Sequence, residues 1–375
     1  MSRAWLAAIA FVFPMCANAG PPDALPFAQE LQDVLDNGLR TTSGTGVAAA
    51  VVVAGKGEWV GVSGMSDPTA AAAVEPDMLF DIASVGKVFV ATIVLQLAEE
   101  GKLTLDDRLT RWLPAFPNVD STITIRQLLN HTSGIAHFAE NSAYWTAVFG
   151  DLDSLWTPEG TLSCLPEAHF APGAGWHYSS ANYVLLGMII ERAIESTLSE
   201  ELRNRLFVPL RLDHTFTSLD HGDTLSGRFA HGHFDLDGDG TLDDMGSLPR
   251  TSLFSSAWAA GPVVSTARDL ARWADALYGG QVLKRESLDQ MLDFHRPTPG
   301  EPLMSGYGLG TAEIRSELIG AERVWGHLGW QPGYMTAMLY LPSDSVSLTV
   351  MINDNNESCI TTITVGLWGV IKSHL

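Results

Sequence analysis

The stretch FDIASVGKVFVATIVLQLAEEG, residues 80–101, decides the fold of this chain. A short apolar run leads into a helix whose apolar residues cover nearly every face, and such a helix is buried rather than laid on a surface. Gly101 is a suitable C-terminal cap for that helix. The chain is therefore expected to pack its core around residues 84–100.

Strands are predicted outward from this helix, at both ends of the chain. Residues 47–54 and 59–63 form β-branched or apolar runs, with two glycines between them that favour a hairpin turn. Residues 335–341 and 347–352 form a second pair of strands, separated by a Pro-Ser-Asp turn. These patterns predict a sheet that is assembled from the two ends of the chain.

The middle of the chain, from about residue 103 to 278, reads as helices joined by Pro- and Gly-rich loops. Its clearest helices span residues 184–194 and 266–277, and a further helix near residues 362–371 closes the chain. This order predicts an α/β (α+β) fold with an inserted all-helical region. We expect the sheet in about residues 20–83 and 300–375 and the helical region in 84–299.

Composition limits the kinds of partner that this chain can bind. With 375 residues, 46% hydrophobic and 17% charged, the chain has a globular composition that suits one large domain or two modest ones. The formal net charge of −21 repels nucleic acid and anionic membranes, so neither is an expected partner.

The first residues have the pattern of an export signal. Arg3 supplies a positive start, residues 5–17 are mostly apolar, and Ala17-Asn18-Ala19 is a small-x-small cleavage site. A retained anchor, a lipoprotein or an ordinary buried helix are the alternatives. We expect residues 1–19 to be a signal peptide and residues 20–375 to be a catalytic domain in the periplasm or outside the cell. No stable membrane span is expected after cleavage.

The sequence allows two interpretations each for the cysteines and for one acidic segment. After cleavage two cysteines remain, Cys164 and Cys359, which could form a disulfide in an oxidising compartment or stay as buried thiols. The segment from Asp235 to Asp243 mimics the start of a calcium loop, but Gly246 stands where that loop has its bidentate Glu. A solvated turn is therefore favoured over calcium binding there.

The chemistry starts with Ser84 and Lys87. Residues at positions i and i+3 share a helix face, so the Lys amine can lie beside the Ser hydroxyl. Burial disfavours the ammonium form, which lets the amine act as a general base near neutral pH. The helix N-terminus also favours negative charge that develops on Ser84. The alternative is a helix cap beside a snorkelling lysine.

Two further blocks contain polar groups that could act with this pair. The block PGAGWHYSSANY, residues 172–183, brings Tyr178 into a loop that feeds a helix, where a tyrosine could shuttle a proton. The block WGHLGWQPGY, residues 325–334, precedes a strand, and its glycines allow a substrate to approach the backbone. Taken alone, Tyr178 and His327 would more often be structural residues.

Together these three blocks resemble the penicillin-recognising serine hydrolases. The similarity is to the branch of class C β-lactamases and D-alanyl-D-alanine carboxypeptidases, which also contains esterases and D-amino-acid peptidases. It covers nearly the whole mature chain and extends to residues 127–134 (QLLNHTSG), 208–210 (VPL) and 259–270 (AAGPVVSTARDL). The resemblance implies a β-lactamase/transpeptidase-like fold, with the site in a cleft between an antiparallel sheet and the helical region.

The resemblance also implies roles for individual residues. Ser84 matches the nucleophile, Lys87 its partner and Tyr178 the tyrosine that shuttles protons with the lysine. The segment from His327 to Gly329 matches the Lys/His-Thr-Gly strand that borders the site. By analogy, the backbone N–H groups of Ser84 and Trp330 would form the oxyanion hole.

Two positions depart from the family pattern and concern substrate recognition. Ser180 stands where the family commonly has Asn, whose amide helps to hold the lysine and the acyl side chain. Leu328 stands where Thr usually helps to bind a substrate carboxylate, and Leu cannot donate a hydrogen bond. His327 could still supply positive charge if protonated. These changes favour an esterase or an unusual peptidase over an efficient β-lactamase.

The resulting hypothesis is acyl transfer from a small-molecule or peptide substrate, bearing an ester or amide, through Ser84 to water. It requires no metal or organic cofactor. The nucleophile elbow of α/β-hydrolases, the His-Glu-x-x-His zinc motif and phosphate-binding Gly loops do not occur in the sequence. The alternative hypothesis is a non-catalytic sensor or scaffold that binds penicillin or cell-wall fragments in the same cleft.

Overall fold

The structure is a computed structural model that describes residues 24–218, 225, 227–295 and 301–375, so the expected signal peptide lies outside the described residues. The helices are α1 (Ala28–Thr42), α2 (Gly86–Glu99), α3 (Leu109–Trp112), α4 (Ile125–Leu129), α5 (Ser142–Gly150), α6 (Pro158–Leu162), α7 (Ala181–Ile194), α8 (Leu198–Leu202), α9 (Thr251–Ala257), α10 (Ala267–Tyr278), α11 (Arg285–Met291) and α12 (Glu357–Ser373). The strands are β1 (Gly46–Val53), β2 (Gly57–Asp67), β3 (Ala72–Ala73), β4 (Phe80–Asp81), β5 (Phe216–Thr217), β6 (His233–Phe234), β7 (Asp243–Asp244), β8 (Val263–Ser265), β9 (Met304–Tyr307), β10 (Ala312–Ile314), β11 (Trp325–Gln331), β12 (Tyr334–Leu341) and β13 (Val346–Ile352).

The central sheet joins the two ends of the chain, as the strand patterns predict. Its strands run in the order β3-β2-β1-β13-β12-β11-β10-β9. All the pairs are antiparallel, and β1 lies against β13 with Ala50 opposite Thr349. Gly55 in the β1–β2 turn has a φ of 73°, which glycine adopts without strain. The predicted hairpin is confirmed.

The sheet is covered on both faces because its strands alternate between two apolar clusters. In β1, Val47, Ala49 and Val51 pack into the cluster that holds α1 and α12, whereas Ala48 and Ala50 belong to the cluster around α2. Successive strand residues point to opposite faces, so a run that is apolar at every position is buried on both sides.

Helix α2 is buried on all sides, as its sequence predicts. From Gly86 to Leu95 every residue is buried, and only Lys87 and Thr92 among them are polar. The helix ends at Glu99, and Gly101 takes a φ of 70° just beyond it. A lysine inside such a helix loses its hydration shell, and this loss disfavours its charged form.

The predicted fold class is confirmed, with one correction to the inserted region. That region is not all-helical, because β8 pairs with β4 on one side and with β5 on the other in a three-stranded sheet, and β6 pairs with β7. Helix α10 also lies within the predicted helical segment but packs on β1, β12 and β13 of the central sheet. Local periodicity identified α10 as a helix without indicating which layer it joins.

The cysteine and calcium alternatives have different outcomes. Cys164 and Cys359 are both free thiols in different apolar clusters, so of the two alternatives left open by the sequence the free thiols are confirmed. Asp235 accepts hydrogen bonds from the backbone N–H groups of Gly238 and Gly240 at 2.8 and 2.9 Å, as in a self-bonded acidic turn. The solvated turn stays the favoured prediction there, with calcium binding as the alternative.

No helix in the part of the chain that the structure describes combines the length and the apolar character needed to cross a bilayer.

Candidate active site

Ser84 and Lys87 meet at the start of the buried helix. Ser84 lies in the 3₁₀ turn Ala83–Val85, directly before α2, and Lys87 is the second residue of α2. The Lys87 Nζ donates hydrogen bonds to Ser84 Oγ at 2.8 Å and to the backbone oxygen of Ala260 at 2.7 Å. The i, i+3 spacing therefore brings the amine and the hydroxyl into contact, as the sequence predicts.

The environment of Lys87 favours its neutral form. Its side chain is fully buried, and burial lowers the pKa of Lys87 from 10.5 to about 7. The aromatic rings of Tyr178 and Tyr183 lie 5.2 and 5.7 Å from Nζ, and their faces offer only weak compensation to the cation. A substantial neutral fraction at pH 7 equips Lys87 to take the proton of Ser84.

The backbone before Ser84 is held in an unusual conformation by Asp81. Ala83 has a φ of 48°, a left-handed conformation that is costly for a residue with a Cβ. The buried Asp81 carboxylate accepts the Ala83 N–H at 2.7 Å. Burial raises the pKa of Asp81 to about 7, partly offset by this N–H and by Arg250. Asp81 was not identified from the sequence as a site residue, although it lies in the quoted stretch.

Removing the side-chain carboxylate of Asp81 should displace Ser84, the proposed nucleophile. We expect Asp81→Ala to lower kcat by about 10²-fold, since a shift of about 1 Å in a reacting group can cost that much. Asp81→Asn retains an oxygen acceptor for the Ala83 N–H and should keep most of the activity. Steady-state kinetics on both variants, with circular dichroism to verify folding, measures the difference. Equal losses in the two variants would contradict this positioning role.

Tyr178 is held beside the pair by a pinned loop. His177 N–H donates to the backbone oxygen of His131 at 3.0 Å, and Ser179 N–H donates to His131 Nδ1 at 3.1 Å. Burial raises the pKa of Tyr178, and interaction with the Ser84 side chain partly offsets that rise. Its hydroxyl is buried without a hydrogen-bond partner among the described residues. The group is thus available to exchange a proton when a substrate changes the site.

A cavity of about 170 Å³ opens onto Ser84 and Lys87. Ser180, at the N-cap position of α7, and Trp330, which is 46% exposed, both line it. Tyr178 and His327 are not among its described lining residues. The wall facing Ser84 is mostly apolar and aromatic, a feature that the sequence did not reveal, and is formed by His137, Phe138, Ala139, Tyr144, Trp145, Leu253, Phe254 and Ala257.

His327 is buried beside the Ser84–Lys87 pair. Its Nε2 and the Tyr307 hydroxyl lie 2.9 Å apart, and its Nδ1 lies 2.6 Å from the Leu328 oxygen. Burial, together with the nearby charge of Lys87, lowers the pKa of His327 to about 3. The condition for a positive charge at His327, a protonated ring, is therefore not met near pH 7. Its place among the substrate-binding residues stays a prediction.

Gly329 lies where β11 passes close to the turn that carries Ser84. A Cβ at this position would lie 2.3 Å from the backbone oxygen of Ile82, so the glycine allows this close approach. Its expected contact with a substrate stays a prediction. Leu328 is half-buried and packs against the apolar cluster of α1 and α12.

The fold and the geometry of the site together define the class of protein. A central antiparallel sheet, a helical insertion and a serine–lysine pair at the head of a buried helix are the features of penicillin-recognising serine proteins.

Comparison with known proteins identifies the family within that class. The chain belongs to the Beta-lactamase family, whose model matches residues 31–359. It is similar to the structure of D-amino acid amidase from Ochrobactrum anthropi SV3 complexed with L-phenylalanine amide, with a TM-score of 0.81 and 27% identity. That match covers 92% of this chain and 98% of the amidase.

Two curated relatives are also similar to this chain. Penicillin-binding protein 4* of Bacillus subtilis strain 168 is 28% identical over 311 residues, which cover 79% of this chain and 65% of that protein. Esterase EstB of Burkholderia gladioli is 36% identical over 200 residues, 50% of this chain and 51% of the esterase. The chain thus spans less than two thirds of the length of either relative.

Proposed function

We propose that this protein hydrolyses esters or amides with an apolar acyl group through an acyl-enzyme on Ser84. The observation that carries the proposal is the 2.8 Å contact between Ser84 Oγ and a fully buried Lys87 whose pKa is lowered to about 7. A hydroxyl next to a neutral amine in a dry site is an activated nucleophile. The names of the relatives, a D-amino acid amidase and an esterase, support the same kind of reaction.

In the proposed reaction, the neutral amine of Lys87 takes the proton of Ser84 while Oγ forms a bond to the substrate carbonyl carbon. The N–H groups of Ser84 and Trp330 stabilise the resulting oxyanion. The tetrahedral intermediate then collapses, the bond to the leaving group breaks, and Tyr178 together with Lys87 returns the proton to the leaving oxygen or nitrogen. Water attacks acyl-Ser84 in the same way and releases the acid.

The size and lining of the cavity support an apolar acyl group. A cavity of about 150 Å³ is large enough for benzene, so the 170 Å³ at Ser84 suits an aryl or short alkyl group. Phe138, Trp145 and Phe254 provide aromatic surface for it. Burying such a group contributes about 25 cal/mol for each Å² removed from water.

The charges around the cavity disfavour a substrate carboxylate. Lys87 is the only Lys or Arg among its described lining residues, and His327 behind it is neutral. Asp81 lines the same cavity, and the charge of Glu301 contributes to the raised pKa of Tyr178. A carboxylate on the substrate would be repelled by these acidic groups, and no cation among the described lining residues is free to pair with it.

Matched substrates test this preference. We expect a neutral phenylacetyl ester to have a kcat/KM at least about 10-fold above that of the same ester bearing a carboxylate on its leaving group, because an unpaired charge in the site costs more than about 1.4 kcal/mol. A panel with a chromogenic cephalosporin and a D-Ala-D-Ala peptide extends the comparison. A preference for the carboxylate-bearing substrates would contradict the proposal, and tight binding without any turnover would favour the sensor alternative.

We also propose that the protein acts outside the cytoplasm, in the periplasm or the medium, after cleavage behind Ala19. The pattern of residues 1–19 supports this location. N-terminal sequencing of the protein from its native host should begin at Gly20, and an intact residue 1 would contradict the proposal.

A further inference from the structure

Three side chains that commonly bind transition metals converge on the outer side of the Tyr178 loop. His169 Nε2 lies 3.0 Å from one carboxylate oxygen of Glu140, and His177 Nε2 lies 2.7 Å from the other. One ligand atom from each of the three residues lies within 4.8 Å of the other two. The two imidazole rings are 4.0 Å apart between centroids, at an angle of 58°.

The backbone holds these residues in place from one shared segment. Glu140 ends the 3₁₀ turn Phe138–Glu140. Upstream of this turn, the Gly134 oxygen accepts the His169 N–H at 2.9 Å, and the His131 oxygen accepts the His177 N–H at 3.0 Å. All three metal-ligating side chains are thus anchored to residues 131–140, so little conformational entropy would be lost when a metal ion binds.

The donor set suits a particular class of ion. Two imidazole nitrogens with one carboxylate match Zn²⁺ and neighbouring transition metals, whereas Ca²⁺ and Mg²⁺ prefer oxygen ligands alone. The three side chains are 34–40% exposed, which leaves room for water as a fourth ligand.

We propose that Glu140, His169 and His177 form a binding site for one divalent transition-metal ion, with Zn²⁺ as the representative ligand. Binding would displace any protons from both Nε2 atoms and would tie the turn of Phe138 to the loop of Tyr178. Phe138 lines the cavity, and Tyr178 directly follows His177. The ion would lie outside the cavity and would stabilise one of its walls without taking part in the reaction.

Calorimetric titration of the whole protein with ZnCl₂ tests the site directly. We expect one Zn²⁺ per chain, and we expect His169→Ala and His177→Ala each to weaken binding by at least about 100-fold, beyond what loss of an outer-shell partner costs. Zn²⁺ should also raise the Tm of the wild type, because it binds the folded state preferentially. Co²⁺ should give the visible absorption of a four-coordinate ion, and Ca²⁺ should produce no heat.

Two control variants separate this cluster from other histidine–carboxylate pairs. His374 contacts Glu30 at 3.0 Å in an exposed pair, and His231 forms a second cluster with Asp67 and Asp244. His374→Ala and His231→Ala should bind Zn²⁺ as the wild type does. If either histidine variant of the cluster fails to fold by circular dichroism, Glu140→Gln replaces it and should show the same weakening.

Two results would overturn the site. The first is no binding of Zn²⁺ at 100-fold molar excess, and the second is binding that survives His169→Ala or disappears in His231→Ala. Because binding is measured without a substrate, failure of the metal site leaves the proposed hydrolase function untouched. Conversely, loss of turnover in Ser84→Ala should leave Zn²⁺ binding unchanged.

Discussion

Ser84→Ala should lower ester turnover by about 10⁴- to 10⁶-fold, because a nucleophile that forms the acyl-enzyme cannot be replaced by its neighbours. The Ser84 hydroxyl is the oxygen that contacts the Lys87 amine at 2.8 Å in the wall of the cavity. Initial rates with a phenylacetyl nitrophenyl ester, at a protein concentration high enough to reveal residual activity, measure the loss.

A serine outside the site provides the control for this experiment. Ser63 lies in β2 of the central sheet and is not among the described residues that line the cavity, so Ser63→Ala should retain wild-type rates. The change from serine to alanine is small and removes one partly buried hydroxyl. The unfolding curve of Ser84→Ala should therefore resemble that of the wild type. If Ser84→Ala keeps more than about a tenth of the wild-type rate, Ser84 is not the nucleophile.

Lys87→Met should have the second-largest effect, a loss of about 10²- to 10⁴-fold in kcat/KM, the usual contribution of a general base. Methionine has nearly the length of lysine and can occupy the same buried channel, but it has no amine to take the Ser84 proton. The comparison of Lys87→Met with Ser84→Ala also shows whether the two residues act as one unit, in which case their losses are not additive.

The pH profile of the wild type should reveal the same amine. Since Lys87 acts in its neutral form, kcat/KM should rise about tenfold per pH unit at low pH and level off above a pKa of about 7. Three histidines around Lys87, His131, His137 and His327, are held neutral by burial, and burial also raises the pKa of the neighbouring tyrosines, Tyr178 and Tyr183. The remaining titratable group is Asp81, whose pKa is also about 7. Asp81→Asn should therefore retain the acid limb, and Lys87→Met should lose it.

The lowered pKa of Lys87 also predicts how stability depends on pH. Between pH 7 and 10.5 the unfolded chain binds a proton at Lys87 that the folded chain lacks, so raising the pH stabilises the fold. From pH 7 to 9, the free energy of unfolding of the wild type should rise by about 2 kcal/mol relative to Lys87→Met. Urea unfolding at both pH values measures this change, and a constant difference would show that Lys87 stays charged when folded.

Local patterns in the sequence predicted the parts of the molecule that depend on local rules. The β1–β2 hairpin follows from β-branched runs around two glycines, and α2 follows from its apolar periodicity. The contact between Ser84 and Lys87 follows from helix geometry, because residues three apart share a face. Each of these features is determined by residues within one or two helical turns.

Features that depend on packing between distant segments were missed or wrong. The neutral state of His327 results from burial and from the charge of Lys87, which is 240 positions away in the chain. The close approach of Gly329 to Ile82 arises because β11 runs beside the Ser84 turn. The His137–Tyr144 wall of the cavity comes from the 3₁₀ turn Phe138–Glu140 and the start of α5, which the sequence analysis did not identify. Sequence spacing contains no information on such contacts between remote segments.

The most direct measurement for the central claim is the intact mass of the protein after reaction with a nitrophenyl benzylphosphonate, the phosphonate analogue of a phenylacetyl ester, which releases nitrophenolate when the serine oxygen bonds to phosphorus. An amine-activated Ser84 should gain one phosphonyl group, mapped by peptide digestion to the segment that contains Ser84, with a labelling rate that rises with pH to a plateau above about 7. Ser84→Ala should gain no mass. A wild-type protein that hydrolyses esters while Ser84 stays unmodified would contradict the account.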